Sequence, residues 1–335
     1  MLTTTGDLIK TQCSVVPTKP KIATFQNIMN KFKRSWLLFK SSLSIMARNK
    51  MLLVFPVVVF LFTMLMVLFF IAPVVLRPTG YAYASSQHWA AISHSLFTQT
   101  TDAKGHTVET GLTAGAMGYL ALMYLISMFC ATFFNVAFYH EILAALRGEF
   151  VSIQRGLKFA CTRWKAILMW SLFAGLVGLI IRQIEERLGF VGRIIGRFIG
   201  LAWSVASVFV IPIIVQDEQN INPLKMVKTS AGILKRTWGE ALIGYAGMSL
   251  ASGLILIVSV VILAGALVGS IAMNNYWLIA VVGILWVLAM FILSYLTSVA
   301  GQIYKGALFL YAANGVIPEP YSQEMLDSAW KFKKQ

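Results

Sequence analysis

Uncharged apolar runs alternate along this chain with shorter stretches rich in basic and aromatic residues. Met51 to Leu76 and Leu112 to Tyr139 carry no charge at all. Four more apolar runs follow, at Ala166–Ile181, Phe198–Val215, Ala241–Ile271 and Leu278–Ala300. A helix of about 20 apolar residues crosses a bilayer, so the pattern predicts about six spans. The third run has only 16 residues and lies between Lys165 and Arg182. Its flanking charges must snorkel, or its helix must continue past Arg182.

The polar stretches have a helical period of their own. Phe25, Ile28, Met29, Phe32, Trp36, Phe39, Leu43 and Met46 step by three and four, with Lys31, Lys33, Arg34, Lys40 and Arg48 off the stripe. Such a helix lies in the membrane interface. The pattern returns with the stripe Ile153, Leu157, Ala160, Trp164, beside Arg155, Lys158 and Arg163. It returns again with Leu224, Val227, Ala231, Leu234, Trp238, beside Lys225, Lys228, Lys235 and Arg236. Asn222 and Pro223 supply a cap and a first turn for the last of these. Basic interfacial helices are therefore expected near 23–49, 151–165 and 222–239, each ahead of a two-span hairpin. Lys33-Arg34-Ser35-Trp36 and Lys235-Arg236-Thr237-Trp238 match, with Thr162-Arg163-Trp164 as a shorter copy. This fits an internal repeat, and equally the basic, aromatic character common to cytoplasmic flanks.

Composition agrees with the spans. Of 335 residues, 58% are hydrophobic and 12% charged, against about 25% charged in soluble domains. This excludes a soluble enzyme and a disordered chain and predicts an all-α polytopic transmembrane bundle. The net charge of +15 has a topological reading. With the N-terminus inside, 22 of the 28 Lys and Arg fall on the cytoplasmic side, so both termini are expected in the cytoplasm. Residues 1–22 read as a flexible cytoplasmic tail, 23–315 as the membrane domain and 316–335 as a C-terminal tail helix. That tail helix would place Met325, Leu326, Ala329 and Trp330 on one face, for docking on the bundle or for a soluble cytoplasmic partner. The first 20 residues show no apolar signal segment, so an internal span is expected to drive insertion.

Ser41–Pro56, Ser230–Glu240 and Leu308–Lys331 resemble an uncharacterised family of bacterial multi-pass inner-membrane proteins. More distantly, the layout is similar to the membrane portion of glycerophosphodiester phosphodiesterases, without their catalytic domain. The resemblance implies a bacterial cytoplasmic-membrane protein and carries over no catalytic residue.

Residues 182–215 depart most from the charge rule. Arg182, Arg187, Arg193 and Arg197 fall on the outer side, beside a Gly192, Gly196, Gly200 ridge of the small-xxx-small type. Glu185 and Glu186 lie within a turn of Arg182 and Arg187. The arginines suit phospholipid headgroups or another anion. Lys33, Arg34, Lys235 and Arg236 suit anionic lipid at the inner face. Gly265 and Gly269 form a second small-residue pair, for helix packing or an oligomer interface. Glu141 and His140 end the second span, where a charge reaches headgroups cheaply. His88, His94, His106, Asp102 and Glu109 match no compact metal motif, and Thr98–Gly111 reads as a mobile polar loop. No span has a charge at mid-depth, and no phosphate loop, nucleophile elbow or metalloprotease motif occurs. No metal, cofactor or nucleic acid is expected. The expected partners are membrane phospholipids and further copies of the chain. The expectation is a non-enzymatic membrane protein that binds lipid and self-associates in membrane organisation. The alternative is an oligomeric pore or permease passing a small or anionic solute by Arg193 and Arg197.

Overall fold

A computed structural model describes residues 37–101, 107–236, 241–272 and 276–322. The fold is an all-α bundle with one small hairpin. Helix α1 covers 37–48 and leads into α2 (Met51–Val75). Then come α3 (Ser86–Leu96), strands β1 (Phe97–Thr101) and β2 (Thr107–Leu112), and α4 (Ala114–Leu146). Helices α5 (Ile153–Thr162), α6 (Trp164–Arg187), α7 (Gly189–Ala206), α8 (Val210–Gln216) and α9 (Pro223–Arg236) follow. The chain closes on α10 (Ala241–Ala272) and α11 (Tyr276–Asn314).

Among the described residues five helices are long and apolar enough to cross a membrane: α2, α4, α6, the α7–α8 pair over Val191–Gln216, and α11. The remaining expected span coincides with α10, where Leu256–Ala272 is counted as a shorter apolar helix. The third span resolves its shortness by running on to Arg187. The stretch expected to be a loop is instead paired: β1 and β2 form an antiparallel ladder from Phe97 opposite Leu112 to Thr101 opposite Thr107. Its Thr and Val content suits a strand, a preference outweighed in the sequence by the polarity of the segment.

Packing is uneven along the bundle. The buried core gathers at the end holding the C-terminal halves of α4 and α11, called basal below. It takes Ile45 and Met46 from α1, Ile142 from α4, Ile214 from α8, Met226 from α9 and Tyr304 from α11. Toward the other end, Leu61, Leu65 and Phe69 on α2 and Ile284 and Phe291 on α11 are exposed. Apolar side chains there face the space that hydrocarbon fills in a bilayer. Helices α4 and α11 run parallel. Tyr139 donates to Gln302 Oε1 at 2.6 Å, and Ile142 lies against Gly306 one turn further along both.

Proline shapes two spans. Pro56 and Pro73 lie inside α2, where the ring strains the carbonyls of the preceding turn. In each case a tyrosine hydroxyl donates to the carbonyl three residues upstream: Tyr295 to Leu53, and Tyr119 to Phe70 at 2.6 Å. Neighbouring helices thus satisfy the loosened backbone, which a bilayer demands. Pro212 breaks the fourth span. Its ring excludes the carbonyl of Val208, and the helix opens into a turn at 207–209. The Phe209 N–H donates to Ser230 Oγ on α9 at 3.1 Å, a buried bond.

Helices α1, α5 and α9 fall within the expected basic stretches, with their apolar faces turned. On α1 the buried positions are Leu38, Ser41, Ser42, Ile45 and Met46, with Phe39 and Leu43 half-buried. Ser42 Oγ and the Tyr321 hydroxyl lie 2.8 Å apart, tying the segment after α11 to α1. Burial pushes the Tyr321 phenol pKa above its usual range. On α9 Met226, Ser230 and Leu234 are buried, while Leu224 is exposed. Asn222 caps α9 as the sequence leads one to expect, accepting from the N–H groups of Leu224 and Lys225. Protein core rather than lipid covers these faces, which explains the turned stripes. The tail 1–22, the first part of the α1 stripe through Trp36, and Trp238 fall outside the described residues, as does the face Met325–Trp330.

Candidate lipid-contact surface

Three loops and short helices at the basal end hold most of the charged groups. The best-defined group joins α4 to α5. Glu141 is fully buried. Its carboxylate has room for about four hydrogen bonds and accepts four. Arg155 gives two, Nε to Oε1 at 2.9 Å and Nη2 to Oε2 at 2.8 Å. The Ser152 N–H gives a third at 2.7 Å, and His140 Nδ1 a fourth at 2.9 Å. The His140 ring stacks on Phe159 with centroids 4.1 Å apart. The hydrogen bond to Glu141 is the main reason the Arg155 pKa is raised above its ordinary value. Glu141 therefore does not reach for headgroups as a span-end charge would; it organises the α4–α5 turn.

Gly148 makes that turn possible. It takes φ +78°, beyond the end of α4, and the Glu149 N–H returns to the Ala144 carbonyl. Gly156 then lets α5 lie on α4. A Cβ there would sit 2.7 Å from the Ala137 carbonyl oxygen and 3.0 Å from Phe55 Cζ. Gly156→Ala is expected to cost about 1–3 kcal/mol of stability, the usual range for overpacking against backbone. Equilibrium unfolding in mixed micelles checks it. An unchanged midpoint would mean α5 does not sit this close.

Arg163 is the second organising charge. Only 8% of it is exposed, and Trp164 beside it is 49% exposed, the reverse of the expected stripe. The reason lies at the junction of α5 and α6. The helix breaks at Arg163, and the guanidinium turns inward to the C-terminus of α8. It donates to the carbonyls of Ile214 at 3.1 Å, Asp217 at 2.7 Å, Asn220 at 3.4 Å and Glu218. Ile214 is one of the last-turn carbonyls that a helix end leaves without partners, at the negative pole of its dipole, and the other three belong to the turn that follows.

The lysines of α5, α6 and α9 face outward, whereas Lys305 on α11 is half-buried. Lys158, Lys165, Lys225, Lys228 and Lys235 are all exposed. Lys165 Nζ lies 5.7 Å from the Trp164 ring centre, a cation–π contact. Arg48, Lys50 and Arg147 are exposed at the same end. Side-chain chemistry suits Arg155 and Arg163 to their inward places, since a guanidinium fork holds several fixed acceptors at once. The side chain of Phe150, in the α4–α5 turn, is 93% exposed. Beside it a cavity of about 640 Å³ runs between Arg48, Arg147, Glu149 and the Val316–Glu319 segment.

The other candidates are dispersed. Arg182 pairs with Glu186 at 2.7 Å on the α6 surface. Arg187, Arg193 and Arg197 are exposed around the α6–α7 turn, where Gly189 takes φ +55°. The glycine ridge is used within the chain along part of its length. A Cβ on Gly192 would meet the Ile184 carbonyl and Leu188 Cβ at 2.5 Å, and one on Gly196 would meet the Glu185 side chain. Gly200, Gly265 and Gly269 have open space at their Cβ positions. Lys33 and Arg34 lie outside the described residues, as do Asp102 and His106, and no side-chain description extends to Arg236. His88 is buried, with Nδ1 2.6 Å from Thr79 Oγ1 and Nε2 3.1 Å from the Val75 carbonyl. Both ring nitrogens are thereby engaged in holding α3 on α2. Among the described residues no three His, Cys, Asp or Glu side chains cluster in a metal-binding arrangement.

Residues 114–318 match the model of a family of unknown function, DUF6159. The chain belongs to this family. The matched region begins at α4, so it contains the Glu141–Arg155 group, Arg163 and the exposed lysines of α5, α6 and α9, and excludes α1 and α2. No curated protein and no solved structure matches the chain.

Proposed function

We propose that this DUF6159 protein is a non-enzymatic integral membrane protein of the bacterial inner membrane. It binds anionic lipid at its basal face, has both termini in the cytoplasm and self-associates in organising the membrane. The lysine row on α9 carries the reading. Met226, Ser230 and Leu234 are locked in the core, so Lys225, Lys228 and Lys235 are held outward on a rigid helix. Trp164 with Lys165 marks the point where α6 enters the membrane, a position favoured by tryptophan. The anionic inner leaflet attracts each such lysine by about 1 kcal/mol. Self-association is supported by the open faces at Gly200, Gly265 and Gly269. A pore lined by Arg193 and Arg197 has less support, because α6 covers the ridge at Gly192 and Gly196.

Lys225→Gln/Lys228→Gln is expected to weaken selection of phosphatidylglycerol over phosphatidylcholine by roughly 30-fold, from about 2 kcal/mol of lost attraction. Spin-labelled lipid partitioning into the protein's lipid shell measures this, and the preference should also fall as salt rises. Equal selection by wild type and variant would remove α9 from lipid binding.

A further inference from the structure

A groove of about 390 Å³ opens sideways between α2, α4 and α11. Its lining changes character along its length. Val59, Phe62, Met66 and Ala131 line one stretch, with Ser127 and a Thr63 hydroxyl that donates to its own helix, while the basal stretch adds the amides of Asn135 and Gln302 and the Ser298 hydroxyl among Phe134, Phe138 and Val299. These three polar groups lie on neighbouring turns of α4 and α11. Gln302 accepts from Tyr139 at 2.6 Å, and Asn135 and Ser298 lie one turn back from that bond on the parallel helices. Both are exposed, and neither side chain hydrogen-bonds another described residue.

The depth of these groups is telling. From Ala114 to Asn135, α4 rises about 30 Å, the thickness of the hydrocarbon core. The same rise along α11 from Tyr276 ends near Ser298. The amide and hydroxyl therefore sit where hydrocarbon gives way to the ester and glycerol oxygens of lipid. An amide left without a partner at that boundary is costly, and the neighbouring oxygens can accept from it.

We infer that this groove is a binding site for one glycerolipid of the basal leaflet. Its acyl chain lies along Val59, Phe62, Met66 and Ala131, and its ester oxygens meet Asn135 and Ser298. The inference rests on the proposed lipid-binding reading but not on the lysines, because it concerns the uncharged part of the lipid.

The test uses the full chain in phosphatidylcholine vesicles doped with a phosphatidylcholine carrying a mid-chain diazirine. Photolysis followed by peptide mapping should concentrate label on 59–66 and 127–135. Ala131→Trp fills the groove from an exposed position and should reduce that label at least about fivefold, with label elsewhere unchanged. Asn135→Leu removes one hydrogen bond, worth roughly a fivefold loss of occupancy. It also guards against misfolding of the first variant, since leucine is at ease in hydrocarbon. Label spread evenly over lipid-facing positions such as Phe291 would overturn the site, as would label in the groove that neither variant reduces. Selection for phosphatidylglycerol persisting in that case would show that the basal surface stands while the groove falls.

Discussion

Arg155→Ala is expected to lower the stability of the folded bundle by about 3–5 kcal/mol, the range seen when one member of a buried ion pair is removed. The loss does not come from the pair's mutual attraction alone. Glu141 is fully buried, and two of its four donors come from Arg155. With the arginine gone, the carboxylate keeps the Ser152 N–H and His140 and must either remain under-bonded or take up a proton. Glu141→Gln should cost less, about 1–2 kcal/mol, because a neutral amide can still accept from Ser152 and leaves Arg155, which is 39% exposed, free to rehydrate. Equilibrium unfolding in mixed micelles of both variants and the double variant gives the coupling directly. A coupling near zero would mean that the α4–α5 turn is held by Gly148 and Gly156 rather than by charge.

Arg163→Ala is the companion experiment, with an expected loss of about 3–5 kcal/mol. Four carbonyls around the end of α8 and the turn after it lose their common donor. Each buried acceptor left without a partner costs about 1–3 kcal/mol, and part is recovered by water entering from the basal side. Arg163→Lys should recover under half of the loss, since one ammonium cannot span carbonyls of Ile214, Asp217 and Asn220 at once. Hydrogen exchange should show the opening confined to α8 and the start of α9. Exchange unchanged there would mean that Pro212 and the Phe209–Ser230 bond suffice to hold the kink.

Both experiments concern charges that the hydropathy pattern assigned to the wrong surroundings. Arg155 and Arg163 share a helical repeat with Lys158, and nothing in spacing separates them. Glu141 stands at the end of an apolar run, the usual place for a charge that meets headgroups. One local signal does set them apart. Gly148 and Gly156 flank the α4–α5 turn that follows Glu141, and a glycine inside an amphipathic helix signals close approach of another backbone. The rotated faces of α1 and α9 have a related origin. An apolar stripe shows that one side of a helix is covered, but not whether lipid or protein covers it. Once α8 packs under α9, Ser230 becomes the buried residue, because a broken helix at Pro212 needs its hydroxyl.

The apolar runs alone established the helical bundle, the number of spans to within the α10 stretch and the basic flanks, because hydrocarbon imposes the same length and composition on every span. Asn222 and Pro223 placed the cap of α9, while the short third run left two solutions open, of which the structure takes the longer helix. Tertiary structure alone sorted the charges into those that hold the fold and those that face outward. It also brought Asn135 and Ser298 to one groove, closed part of the glycine ridge against α6, and paired two strands from a polar segment. Those outcomes depend on which helices meet and in what rotation. Contacts such as Tyr139 to Gln302 or Arg163 to Ile214 join residues far apart in the chain. Hydropathy records what each segment buries, whereas these contacts record what it is buried against.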